Sequence, residues 1–233
     1  MPAQRVNDPN IPPRTAVGYL AMRWDTVGWA YGSGSLIDSR NVLTCSHNLI
    51  DQLTQPTFGH ALEVLFYPAY DQGGGGNPPD GGAEVDIGFY STAYYDGQDA
   101  WDVAVCRLHD PIVPTAFFVP TVTGEEIVGE DLFLTGYPGP GDGEMCEDLD
   151  QVAGVELSTN TLLYTNDTWP GNSGSPAWTY ESVQDVVKQH GIHVSREAQE
   201  LRRAVLITAG VFNWIAGALS RQTPDAPFHL EGL

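Results

Sequence analysis

The chain has 233 residues, enough for one large all-β unit or two small barrels, and 42% of it is apolar, as in a globular protein. Thirty acidic against ten basic residues leave a net charge of −20, which repels nucleic acid and anionic membrane surfaces, so neither is expected as a partner. No apolar run approaches the roughly 18 residues of a membrane span, and three cysteines, an odd number, exclude a dense disulfide scaffold.

The N-terminus, MPAQRVNDPN, has no apolar stretch of the signal-peptide kind. The expectation is a protein that stays inside the cell, or one whose leader has been removed. Residues 1–16 are polar, hold four prolines and read as an extended arm. The runs AVGYLAMRW and WAYGSGSLI read as strands, a turn follows over 38–41, and NVLTCSH is a third strand-like run that ends on His47. Residues 61–70 read as another strand. The segment DQGGGGNPPDGG (71–82) is incompatible with regular structure and reads as an exposed loop. Its two aspartates are too few carboxylates for a calcium cage.

Short strand-like runs then recur between turn signals: EVDIGFY, DVAVCRL, DLFLTGYP, TLLYTND, SPAWTY and AVLITAG. That spacing points to an all-β sandwich or barrel. Two segments read as helical, 181–189 and 211–221, and residues 195–204 (SREAQELRRA) read as a charged, solvated loop. Cys45 and Cys106 each lie in an apolar run and read as buried free thiols. No CxxC or Cys/His cluster suggests zinc.

The sharpest chemical signal is Pro170-Gly171-Asn172-Ser173-Gly174-Ser175-Pro176. A tetrahedral oxyanion needs two backbone N–H donors about 3 Å away, and glycine lets the main chain approach that closely. The N–H groups of Gly171 and Ser173 are the candidates; a plain Gly/Ser turn between strands would look the same. A serine hydroxyl needs a base beside it. Among six histidines, His47 stands out because it ends an apolar strand on which it can be aimed. The base needs an orienting carboxylate, and Asp102 opens the core run Asp102-Val103-Ala104-Val105-Cys106, where an unpaired acid would be costly. Each reading alone is ambiguous; the order His, Asp, Ser, each in a fitting context, is specific.

With GSLI before LTCSH, then WDVAV, then GNSGSP, the chain resembles the chymotrypsin-like serine proteases. It is most similar to their bacterial glutamyl endopeptidase branch. Arg5-Val6 ahead of Arg14-Thr15-Ala16-Val17 resembles the mature start of those enzymes, and Thr135-Gly136-Tyr137-Pro138-Gly139, Gly191-Ile192-His193 and Ile207-Thr208-Ala209-Gly210-Val211-Phe212 resemble further family segments. The similarity runs from about residue 5 to 219. It implies two six-stranded antiparallel barrels, about 17–112 and 118–210, with a short C-terminal helix over 211–221, the whole of 17–233 forming one protease domain. It implies a serine endopeptidase that needs no metal or cofactor and acts on polypeptides; a monomer is expected.

Carried over residue by residue, the resemblance makes His47 the general base, Asp102 its orienting acid and Ser173 the nucleophile. His193 and Thr168 read an acidic side chain before the scissile bond (P1), and Val194, Ser195 and Arg196 pair with the substrate backbone, by strand addition. The implied preference is Glu over Asp, with Val6 supplying an α-amine to the pocket once residues 1–5 are removed. The sequence departs from the family at His193-Val194-Ser195-Arg196, where small or aromatic residues and glycines are usual, and in keeping the segment before Val6. Lys188, Arg196, Arg202 and Arg203 bracket His193 and read as a local basic patch. Two other functions fit the same chain: an endopeptidase of different P1 preference, and a catalytically silent trypsin-like binding module. The silent module would be expected to lack a triad member or an oxyanion glycine, and none is missing.

Overall fold

The computed structural model describes residues 3–53, 58–71, 81–113, 116–139, 143–181, 186–196, 201–221 and 228–233. The expected loop over 71–82 falls mostly outside them. In chain order the first half contains β1 (Gln4–Arg5), β2 (Val17–Trp24), β3 (Gly28–Leu36), β4 (Asn41–Thr44), β5 (Ala61–Pro68), β6 (Ala83–Tyr90), the one-turn helix α1 (Thr92–Tyr95) and β7 (Ala104–Leu108). The second half contains β8 (Val119–Pro120), β9 (Asp131–Gly136), β10 (Cys146–Glu156), β11 (Thr161–Tyr164), β12 (Pro176–Glu181), β13 (Val186–Arg196), β14 (Arg202–Leu206), α2 (Ala209–Ser220) and β15 (His229–Gly232).

Each half closes on itself. The order β6-β5-β2-β3-β4-β7 returns to β6, and β9-β10-β11-β14-β13-β12 returns to β9, so the fold is two six-stranded antiparallel barrels with a C-terminal helix. Closure leaves few free edges. The β2–β3 hairpin shows how the sequence encodes this. Val17 pairs with Ser35 and the register runs unbroken to Trp24 opposite Gly28, whose φ of 77° only glycine adopts without strain.

The barrels share their cores. One apolar cluster joins Val17, Leu20, Met22 and Phe66 of the first barrel to Tyr137, Met145, Trp178 and Val187 of the second. Another joins Leu43, Cys45, Val103 and Val105 to Ile192, Val194, Val205, Ile207 and the α2 residues Val211, Ile215 and Ala218. The site described below lies on that seam. At the far end of α2, the buried Arg107 guanidinium donates to the carbonyls of Ala218 (3.0 Å), Leu219 (3.1 Å) and Arg221, which satisfies helix-end groups that have no partner of their own.

Two local expectations change. Over 181–189 the described residues are strand: Glu181 ends β12 and pairs with Val186, and Tyr180 pairs with Val187. Val187 is buried in the core, so pairing across the hairpin overrides the helical look of the segment. The charged stretch 195–204 is strand at both described ends, with Ser195 opposite Arg203 and Arg196 opposite Arg202. Two of its arginines have partners: Arg203 Nε donates to Ser195 Oγ at 3.2 Å, and Arg202 Nη2 lies 3.9 Å from Asp167. The arm is described from residue 3, and parts of it are paired with the second barrel. β1 pairs with β10, Val6 N–H donates to Met145 O at 2.8 Å, and the Val6 side chain is buried.

Candidate active site

His47 sits in a single 3-10 turn, Ser46–Asn48, directly after β4. Asp102 stands just ahead of β7, the strand that pairs with β4 from Asn41–Arg107 to Thr44–Ala104. Two adjacent strands therefore deliver the imidazole and the carboxylate to the same end of the barrel. Asp102 Oδ2 lies 2.6 Å from His47 Nδ1, and Oδ1 accepts the His47 backbone N–H at 2.9 Å. Asp102 is 4% exposed, and these bonds compensate the burial of its charge. Burial alone would lower the His47 pKa, but the Asp102 charge and hydrogen bond outweigh it and hold the pKa well above 6.5. Cys45 beside the ring acts on His47 in the same upward direction, and its own pKa is raised by full burial. Its Sγ lies 3.5 Å from His47 Nε2. Cys45, His47 and Asp102 offer ligand atoms within 4.8 Å of one another, a cluster invisible in the sequence because Asp102 is remote in the chain.

The Ser173 loop crosses from the second barrel to meet this pair. Ser33 N–H and Asn48 Nδ2 donate to Ser173 O at 2.8 and 3.0 Å, and Ser33 Oγ donates to Gly171 O at 2.9 Å. Asn48 is the neighbour of His47, so the serine loop is tethered one residue from that histidine. Gly174 has φ 88°, and a Cβ there would fall 2.1 Å from Ser33 O. Gly171 has φ 103°, and a Cβ there would fall 2.4 Å from Tyr137 O. Both glycines are required by close approach. Within the loop, the N–H groups of Asn172, Gly174 and Ser175 bond to Trp169, His193 and Asn172 carbonyls. Among the described hydrogen bonds, the N–H groups of Gly171 and Ser173 have no acceptor. Nor does one join Ser173 Oγ to His47 Nε2; such bonds are often long before substrate binds.

His193 lies immediately behind this loop. Its N–H donates to Ser175 O at 2.9 Å and its carbonyl accepts from Gly174 N–H at 2.8 Å. The ring is buried, with Nδ1 2.6 Å from Tyr164 Oη. Thr168 is also buried, and its Oγ1 has no partner. The Thr168 segment is pinned from both sides: Asn166 Nδ2 donates to the carbonyls of Leu132 and Asp148, and Asp167 N–H donates to Asp148 Oδ2 at 2.7 Å. β12 stops pairing with β13 at Pro176–Ile192, so Val194, Ser195 and Arg196 continue beside β14, with no strand pairing on their other edge among the described residues. Lys188 forms an ion pair with Glu181, which removes it from the expected basic patch.

A model of the trypsin-like peptidase domain matches residues 32–184, more than half of the chain. The chain belongs to the trypsin-like peptidase family. No curated protein sequence matches it. This trypsin-like peptidase is similar in fold to a solved Glu endopeptidase in complex with MPD, at 19% identity and TM-score 0.75, covering 94% of this chain and 97% of that one. It is also similar to the protease Anisep from Arthrobacter nicotinovorans, at 14% identity, TM-score 0.69 and coverage of 89% and 96%. A third, HL collagenase, has 12% identity, TM-score 0.69 and coverage of 94% and 98%.

Sequence reading missed three residues at the site of this trypsin-like peptidase. Tyr164 ends β11, twenty-nine residues before the histidine it touches, and nothing local marks it. Ser33 and Asn48, which tie the serine loop to the first barrel, look like ordinary polar residues until the barrels pack.

Proposed function

We propose that this trypsin-like peptidase is a serine endopeptidase working through an acyl-enzyme, with His47, Asp102 and Ser173 as triad. The observation that carries the reading is the part-buried His47–Asp102 pair beside a serine loop in which, among the described hydrogen bonds, the Gly171 and Ser173 N–H groups have no acceptor. In this mechanism His47 Nε2 takes the Ser173 hydroxyl proton as Oγ attacks the scissile carbonyl, and the two N–H groups receive the oxyanion. His47 then returns the proton to the leaving amine, and water repeats the sequence to release the acyl group. Asp102 keeps Nδ1 protonated and Nε2 free to accept. The substrate strand adds to the open edge of Val194, Ser195 and Arg196.

The proposed preference is for Glu at P1. A buried hydroxyl with no partner is unfavourable unless a ligand completes it, and Thr168 Oγ1 is in that state. A P1 carboxylate would accept from Thr168 Oγ1 and from His193; Asp, one methylene shorter, reaches less well. The test is digestion of a mixed peptide library with the cut sites read by mass spectrometry. Cleavage concentrated after Glu supports the preference, and cleavage after basic or large apolar residues refutes it while leaving the peptidase assignment standing.

A further inference from the structure

We propose that Cys45 and His47 together form a binding site for a soft divalent cation such as Zn²⁺, and that the bound ion switches the peptidase off. The inference rests on the reading of His47 as the general base. Cys45 plays no part in that mechanism, yet its sulfur is the group nearest to the nitrogen that must accept the serine proton, at 3.5 Å.

Geometry carries the proposal. Zn–S bonds are about 2.3 Å and Zn–N bonds about 2.0–2.1 Å, so at a tetrahedral angle the two ligand atoms of one ion stand about 3.5 Å apart. The Sγ–Nε2 separation has that value already. The backbone passes from extended conformation at Cys45 (φ −97°, ψ 153°) into the 3-10 turn carrying His47, and this local geometry sets the separation. The second shell is also in place. A metal-bound histidine characteristically donates its other ring N–H to a carboxylate, which fixes the tautomer and makes the ligating nitrogen more basic. Asp102 does this at Nδ1, at 2.6 Å. Access is from the solvent side of the ring: the His47 side chain is 29% exposed, whereas Cys45 is fully buried beneath it.

Binding forms a Zn–S and a Zn–N bond, and the thiol proton leaves to solvent. Water fills the remaining positions on the ion. The Nε2 lone pair, now in the Zn–N bond, is no longer available to Ser173, so inhibition follows without any change of fold and is reversed by a chelator.

The experiment has two readouts. Peptidase activity is titrated with Zn²⁺ for the unaltered protein and for Cys45→Ala, each normalised to its own metal-free rate. The unaltered protein should lose most of its activity and regain it on adding EDTA, while Cys45→Ala should need at least ~10-fold more Zn²⁺ for the same loss. Cd²⁺ is then added to the full chain carrying Cys146→Ser, which removes the half-buried thiol, and the ultraviolet thiolate-to-cadmium band is recorded. The band should appear there and vanish when Cys45→Ala is added; Cys45→Ser serves in its place if the alanine variant loses its near-ultraviolet circular dichroism. Equal Zn²⁺ sensitivity with and without Cys45, or a band unaffected by its removal, overturns the proposal. The band needs no turnover, so a failure of the peptidase reading would show as activity absent with the band still present.

Discussion

Tyr164 Oη lies 2.6 Å from His193 Nδ1, joining two buried side chains of β11 and β13. Burial holds the Tyr164 pKa well above its ordinary value, so the phenol keeps its proton. A phenol that donates to Nδ1 puts the imidazole proton on Nε2, and an Nε2–H has the polarity a P1 carboxylate requires.

Tyr164→Phe should therefore weaken selection of Glu more than it weakens folding. The expected loss is about 10-fold in kcat/KM for a Glu substrate, corresponding to about 1.4 kcal/mol for one hydrogen bond. A small neutral P1 residue should be cleaved at close to the unaltered rate. His193→Ala should show the same pattern with a larger loss, on the order of 2–3 kcal/mol. Equal losses on both substrates would assign the pair to the core and not to P1 recognition.

Ser173→Ala removes the nucleophile and leaves the Gly171 and Ser173-position N–H groups in place. Peptidase activity should fall by at least ~10³-fold with the thermal transition unchanged. Retention of substantial hydrolysis would mean that a different residue attacks the carbonyl.

The pH profile follows from His47. The general base must be unprotonated, and Asp102 holds its pKa well above 6.5 against the opposing effect of burial. kcat/KM should thus decline as pH falls through a midpoint above 6.5. Asp102→Asn removes the charge that raises the pKa, so the acidic limb should move to lower pH, alongside a kcat loss of about 10⁴-fold. A midpoint at or below the ordinary histidine value in the unaltered protein would contradict this assignment.

A second histidine should govern acid stability. His190 is buried, with Nδ1 2.7 Å from Thr123 Oγ1 and Nε2 2.8 Å from Thr179 Oγ1. Burial, reinforced by Lys188, pushes its pKa down to about 4. The unfolded chain binds this proton near pH 6.5 and the folded chain only near 4. The stabilisation from His190 is accordingly whole above about pH 6.5 and lost as pH falls towards 4, reaching about 3 kcal/mol. Urea unfolding at pH 7 and pH 5 should show about 2 kcal/mol more loss for the unaltered protein than for His190→Gln. Identical slopes would show that His190 does not carry the effect.

The sequence by itself determined the all-β character, the positions of most barrel strands and the His47, Asp102 and Ser173 motifs. Each of these is written in neighbouring residues: period-two apolar runs, turn residues between them, and glycines around Ser173 where the chain must come close to itself. The Gly171 and Gly174 conformations bear this out, since side chains there would strike Tyr137 O and Ser33 O. The tertiary structure alone decided what depends on distant segments meeting. The helical look of 181–189 yields to the β12–β13 hairpin because cross-strand partners and a buried Val187 outweigh local propensity. Tyr164 against His193, Ser33 against the serine loop, and Cys45 beneath His47 in reach of Asp102 arise where strand ends converge at the seam between the barrels. Hydrogen bonds reach only about 3 Å, and which side chains come within that distance follows from strand pairing and barrel closure, which the order of residues along the chain does not display.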